Sequence, residues 1–417
     1  MTSPFRCVLK PILGAMLAVG TLAAQSPLTW DQVTEHFKKN NPNRLAGELF
    51  VQEFRANETT AGFRPNPILT STEDQNSLFS TNPYRPLGAI QWTQAVSQLI
   101  ERRNKRQLRV ESARLATAVS KTDLADLDRQ LTFALRDAFV RVLQGKAVLE
   151  LAEENLKHYD RVVDVNRERQ KAGDISRIDL QRVELQRVQF ESDLVNANVN
   201  VQTAKIALLA LINEQQPIDS FDVVGVFDFK PIQITLEESR AAALETRPDL
   251  KSATTGVEKA KADNRLAFAN GSTDPTLITD YARVGPHNTI GVGFSIPLRF
   301  FDRNQGEKAR TALEIQRVDK VRAGVRSNIY RDVDSAYASL ESIAALLKPY
   351  RERYLPQSAD IRETVSFAYS NGGASLLEFL DAQKSYRDTQ LNYRNLIASY
   401  LAAVNQLSFA IGREVIP

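Results

Sequence analysis

The side chains able to do chemistry in this sequence are few and scattered. Three histidines, His36, His158 and His287, lie far apart in sequence, and Cys7 is the only cysteine. A transition-metal centre needs three or four nitrogen, sulfur or carboxylate donors that converge, and the histidines lack ligand spacing, so no resident metal and no cofactor are expected. Carboxylates are abundant but alternate with Lys and Arg, the pattern of solvated helix faces. In GVGFSIP, residues 291–297, the glycines sit inside an alternating apolar run and do not open a helix. The segment is therefore neither a nucleophile elbow nor a dinucleotide fingerprint. With 53 basic against 50 acidic residues, the chain has no basic excess for nucleic acid. No catalytic residue, no enzymatic activity and no nucleic-acid partner are expected.

What the residue pattern does offer is two kinds of surface. The first is a strand in TIGVGFSIPL, residues 289–298, where Ile290, Val292, Phe294, Ile296 and Leu298 recur at every second position with small or polar residues between them. This period predicts one apolar face, here expected to face lipid with Phe294 near the bilayer midplane. The second is a pair of tight turns. Gly173-Asp174-Ile175-Ser176 joins a glycine suited to a left-handed helix end to a serine that, with Asp179, predicts a capping box. Gly372, Gly373 and Ser375 with Glu378 repeat the pattern.

The elements that position these surfaces are long helices. Between Leu87 and Gln216 there is no proline, so a helix from Ser97 to Lys171 of about 110 Å is predicted, returning as a second helix after AGDIS to about Ile212. The chain also compares with itself. LTWDQVTEHFKKNNPN at Leu28 resembles ITLEESRAAALETRPD at Ile234, aligning Thr29 with Thr235 and Pro42 with Pro248. ERRNKR at Glu101 aligns with FDRNQG at Phe301, and KAGDISRIDLQ at Lys171 with SNGGASLLEFL at Ser370. These anchors keep their order, which predicts a duplicated half. The expected organisation is a signal peptide over 1–24, a first repeat over 25–220 with a strand pair in 68–96 and a hairpin tip near 173, and a second repeat over 221–417 with a strand pair in 276–298 and a tip near 372.

The signal is predicted from Arg6 and Lys10 ahead of PILGAMLAVGTLAA; Cys7 precedes this apolar run, so a lipid anchor is not expected. The sequence has no run of 18 consecutive apolar residues, which directs any membrane crossing toward a barrel. Four strands per chain leave open edges that lipid does not tolerate. Three copies would close a barrel of twelve strands and gather the helices into a tube. Tyr84, Trp92, Tyr281, Phe300 and Phe301 near the strand ends suit interfacial girdles.

At SIPLRFFDRNQGE, residues 295–307, together with the duplication, strand pairs and hairpin turns, the sequence resembles the TolC-like outer-membrane efflux channels, and this segment resembles the heavy-metal, CzcC-like branch. The resemblance implies a mainly α fold with a membrane β-barrel, a homotrimer in the bacterial outer membrane and a helical tunnel in the periplasm. It also implies a periplasmic adaptor, or membrane fusion protein, and an inner-membrane pump of the RND type as partners. The implied function is a passive exit duct for heavy-metal cations. A multidrug or type I secretion duct is the alternative within the class, and a secreted trimeric coiled-coil scaffold without a pore is the alternative outside it. Carried onto this sequence, the periplasmic gate and adaptor-docking tips are Gly173, Asp174, Ser176, Gly372, Gly373 and Ser375, and Tyr369 matches a gating tyrosine. The arginine that some relatives have five positions later is Ala374 here.

Overall fold

A computed structural model describes residues 26–74 and 91–415. The predicted signal segment with Cys7, the start of the first strand pair's second member, and Tyr84 lie outside the described residues. The elements run α1 (Trp30–Asn40), α2 (Pro42–Gly62), β1 (Ile68–Asp74), β2 (Gln91–Leu99), α3 (Lys105–Ala172) and α4 (Arg177–Ile212), then α5 (Leu236–Thr246), α6 (Pro248–Asn270), β3 (Thr276–Val284), β4 (His287–Ser295), α7 (Gln305–Pro349), α8 (Leu355–Ser370) and α9 (Leu376–Ile411).

Aligned positions do the same local work in each half. Thr29 and Thr235 are the N-caps of α1 and α5, each in a complete capping box. Pro42 and Pro248 are the first residues of α2 and α6, where a missing N–H costs nothing. Asn104 and Asn304 precede α3 and α7 with left-handed φ of 57° and 62°, a conformation asparagine tolerates better than most residues. In FDRNQG this makes a corner: the Asn304 side chain donates to the Ala267 carbonyl at 2.8 Å while its backbone N–H donates to Asp302 at 2.8 Å.

The long helices differ in detail from the sequence expectation. α3 begins at Lys105 instead of Ser97, because β2 continues to Leu99 in register with Thr276 of β3. Between α7 and α8 the helix widens into a π-type turn, Tyr350–Tyr354. Pro349 and Pro356 flank that turn, and prolines remove the helical hydrogen bonds that would keep the regular pitch.

Two cores form where the short helices pack on the long ones. Val33 and Phe37 of α1 pack with Leu135, Phe139 and Leu208 of α3 and α4. Ala243 of α5 packs with Ile329, Val333, Ile397 and Leu407 of α7 and α9. Arg247 is buried at the second core, and its guanidinium donates to Asp249, to Asp332 at 3.1 Å and to the Ala410 carbonyl at 3.2 Å. These partners satisfy a charge that would otherwise be costly to bury.

The four strands form one antiparallel sheet in the order β1-β2-β3-β4. Its hairpin β3–β4 closes on a two-residue turn between Val284 and His287, with Gly285 at φ 56°, as tight hairpin turns require. β4 spans His287–Ser295, so it starts earlier and ends earlier than the predicted strand. Ile290, Val292 and Phe294 lie on it at 82%, 75% and 76% exposure, whereas Ile296 and Leu298 lie beyond its end. Phe294 is next to the last strand residue, and the strand's midpoint is at Gly291. Phe294 thus lies toward the helix-side end of the strand and not at the strand's mid-height.

Candidate functional site: the paired hairpin tips

α3 turns into α4, and α8 into α9, at one end of the helical body. At the first tip Gly173 takes φ 87°, its N–H donates to the Gln170 carbonyl at 3.1 Å, and the Asp174 N–H donates to the Arg169 carbonyl at 2.9 Å. At the second, Gly372 takes φ 75°, with Gly372 N–H to the Tyr369 carbonyl at 3.2 Å and Gly373 N–H to the Ala368 carbonyl at 2.8 Å. Both are Schellman endings, which satisfy the last helical carbonyls and need a residue at ease with positive φ. Only Gly372 of the second pair has that φ. An added Cβ on Gly373 would meet the Ala368 carbonyl oxygen at 3.5 Å, an ordinary contact.

The serines start the returning helices, with a difference. The Ser375 hydroxyl accepts from the Glu378 N–H at 3.3 Å, and the Glu378 carboxylate accepts from the Ser375 N–H at 2.7 Å, a complete box from which α9 begins at Leu376. The Ser176 hydroxyl accepts from the Asp179 N–H at 3.1 Å, but the Asp179 carboxylate takes the Ser176 hydroxyl at 2.8 Å instead of its backbone N–H. Aspartate is one methylene shorter than glutamate, so the predicted box is half formed. Hydrogen bonding to Ser375 holds the Glu378 carboxyl below its ordinary range. Asp174 is exposed, and among the described residues its carboxylate has no partner.

Tyr369 joins the two hairpins. It is only 8% exposed, stacks on Phe379 with ring centroids 4.7 Å apart, and donates its hydroxyl to Asn166 Oδ1 at 2.9 Å. The Arg169 guanidinium lies 5.0 Å from the Tyr369 ring centroid. Burial pushes the Tyr369 hydroxyl up from its ordinary pKa, so it remains a donor at neutral pH. Asn166, Arg169 and Phe379 carry no signal in the sequence; only the packing of α3 against α8 and α9 exposes their role. Below them Tyr159, Val163, Val183 and Phe190 form a separate small core against Leu376 and Leu380.

Tyr369→Phe leaves the buried Asn166 oxygen without its donor, a cost of about 1–3 kcal/mol. Faster amide exchange is expected in 160–175 and 366–380, with the two larger cores unchanged. Unaltered exchange at the tips would show that the bond contributes nothing there.

The histidines stay apart: His36 contacts Glu214 beside α1, His158 is on α3 and His287 opens β4. Burial, with Arg362 and Arg161 nearby, pushes the His158 pKa down. Among the described residues no three His, Cys, Asp or Glu side chains gather as a metal centre would need.

Residues 240–413 match the family described as outer membrane efflux protein. The chain is 23% identical over 408 residues to the cobalt-zinc-cadmium resistance protein CzcC of Cupriavidus metallidurans, covering 96% of this chain and 93% of that protein. It is 24% identical over 316 residues to the pyoverdine export outer membrane protein OpmQ of Pseudomonas putida, covering 71% of this chain and 66% of that protein. Its fold is similar to the solved structure of CusC, with a TM-score of 0.77, 18% identity and 92% of both chains covered. The second part of the chain, residues 240–413, thus carries a match to the outer membrane efflux protein family, and the chain as a whole is similar in sequence to CzcC and in fold to CusC.

Proposed function

We propose that three copies close a twelve-stranded barrel continued by a helical tunnel, as the exit duct of a tripartite system for heavy-metal cations. The observation that carries this reading is the open sheet. Among the described residues β1 and β4 are the outermost strands of a four-stranded sheet with one apolar face, and lipid tolerates such sheet edges only when another strand pairs with them. In a threefold ring, β4 of one copy meets β1 of the next.

α4 supports the same assembly. Ile178, Leu185, Val188, Val195, Val199 and Ile206 are all exposed, at steps of seven, three, seven, four and seven residues. That is the seam period of a coiled coil, which a neighbouring helix buries. α4 is also the one described helix whose length and composition would allow a membrane crossing. However, Asn196, Asn198, Asn200 and Gln202 interrupt it with polar groups that hydrocarbon would leave unsatisfied.

The duplicated halves supply the two hairpins, whose tips are the surface for an adaptor fed by an RND-type pump, with Asp174 and the serines at its centre. The likeness to CzcC across nearly the whole chain supports the heavy-metal cargo. The likeness to OpmQ favours an organic solute as the second reading.

In a strain lacking this gene, the wild-type chain should lower cellular cobalt, zinc and cadmium. Gly372→Val should fail to do so while trimers persist, because a β-branched residue at φ 75° costs about 1–3 kcal/mol at the tip. Gly373→Ala should restore export. Unchanged metal content with restored resistance to organic compounds would select the second reading.

A further inference from the structure

Partners in an antiparallel ladder place their side chains on one face, so the strand register sorts the sheet in two. One face carries Leu69, Val96, Leu277, Ile290, Val292 and Phe294. The other carries mostly small and polar residues, among them Thr93, Ala95, Ser97, Asp280, Gly291 and Gly293. The second face is the more sheltered one on β3. Ile278 and Asp280 are half-buried and Ala282 is buried, while Leu277, Thr279 and Tyr281 between them are exposed. A sheet curled toward its small-residue face has this pattern, which places Asp280 on the concave, luminal side.

On that face Asp74, Gln91, Val284 and His287 form one outermost rung in register. Inside it, Asp280 is the one ionisable side chain among the described strand residues of the luminal face. Four residues separate it from Val284, roughly 13 Å along the strand, more than the screening length of about 10 Å at 0.1 M salt. It therefore acts on ions separately from the rung at the rim.

The carboxylate has a built seat. Gly291 is the direct partner of Asp280, and a Cβ there would lie 2.5 Å from Asp280 Oδ1 and 2.9 Å from Oδ2. The carboxylate thus rests directly over the Gly291 backbone, and a side chain there would displace it. Its other partner is the small Ala95. Among the described residues nothing donates a hydrogen bond to it or pairs with its charge.

Resting on the trimeric barrel proposed above, we propose that Asp280 is an ion-selecting residue of the lumen. Its three copies form a ring of fixed negative charge at mid-barrel that concentrates hydrated cations, divalent above monovalent, in the outer-membrane part of the duct. Rings of acidic side chains select cations by this field without stripping their hydration.

The test is the reversal potential of the full-length protein in planar bilayers under a potassium chloride gradient near 0.1 M, where screening confines each charge to about 10 Å and keeps the rim apart. Wild-type channels are expected to prefer cations, and Asp280→Asn should lower the cation-to-anion permeability ratio about twofold or more. Gly291→Ala keeps the charge but displaces it, and should give an intermediate ratio. Asp174→Asn, measured alongside, reports any ring at the tunnel mouth separately. Asp280→Cys should lose the preference and regain it on reaction with an anionic methanethiosulfonate, which covers the case in which the asparagine variant does not assemble. Channels whose ratio is unchanged in Asp280→Asn, or in unreacted Asp280→Cys, overturn the inference and leave the barrel standing. Wild-type protein that forms no channels overturns the barrel itself.

Discussion

Val292→Arg is expected to strip assembled trimers from outer-membrane fractions while Gly293→Ser leaves them intact. Val292 is 75% exposed and one residue from the midpoint of β4, on the apolar face. In the proposed barrel that position meets the middle of the hydrocarbon, where arginine costs about 2–4 kcal/mol, against about 0–1 kcal/mol near the interfaces. Phe294→Arg, at the helix-side rim, should therefore do less damage than Val292→Arg. In the same proposed barrel Gly293 faces the lumen, and an added Cβ there meets nothing within 4 Å. Heat-modifiable trimer migration and urea unfolding of the membrane-extracted protein measure the difference. Equal trimer recovery for Val292→Arg and Gly293→Ser would reject the two faces.

Tyr159→Ala is expected to loosen the hairpin end without unfolding the rest of the helical body. Tyr159 is fully buried, stacks on Phe190 with centroids 4.5 Å apart, and donates to the Val183 carbonyl at 3.2 Å. Burial raises its hydroxyl pKa, so the bond is in place at neutral pH. Truncating a buried aromatic to alanine costs about 3–5 kcal/mol. The small core it belongs to has only Val163, Val183 and Phe190 as further fully packed members, so the loss falls on α3, α4 and the start of α9. Hydrogen exchange should accelerate there and remain slow around Phe37 and Ile397. Tyr159→Phe, which keeps the stack and loses one hydrogen bond, should cost about 1 kcal/mol. Uniform acceleration across all three cores would show that the tip does not open as a unit.

Features that depend on neighbours along the chain were legible in the residues alone. β3 begins at Thr276, where the expected strand pair 276–298 begins, since Pro275 just before it is a local boundary signal. The left-handed glycines at 173 and 372 and the cap of Glu378 on Ser375 are legible for the same reason: a turn or a cap spans a few residues and depends on their own side chains. The half-formed box at Ser176 is the exception, because a capping pattern does not show whether a side chain is one methylene too short.

Features that join residues distant in sequence came only with the packed molecule. The end of β2 and the start of α3 depend on pairing with β3, so that boundary is set by the partner strand. The hydroxyl of Tyr369 meets Asn166 across 203 positions, and neither residue type marks such a contact. Asp280 reads as an ordinary polar residue in a strand until the register sets it over Gly291. Period and propensity state which way a side chain points relative to its own backbone. What it then meets is set by how distant elements pack, a choice made by burial and pairing over the whole molecule.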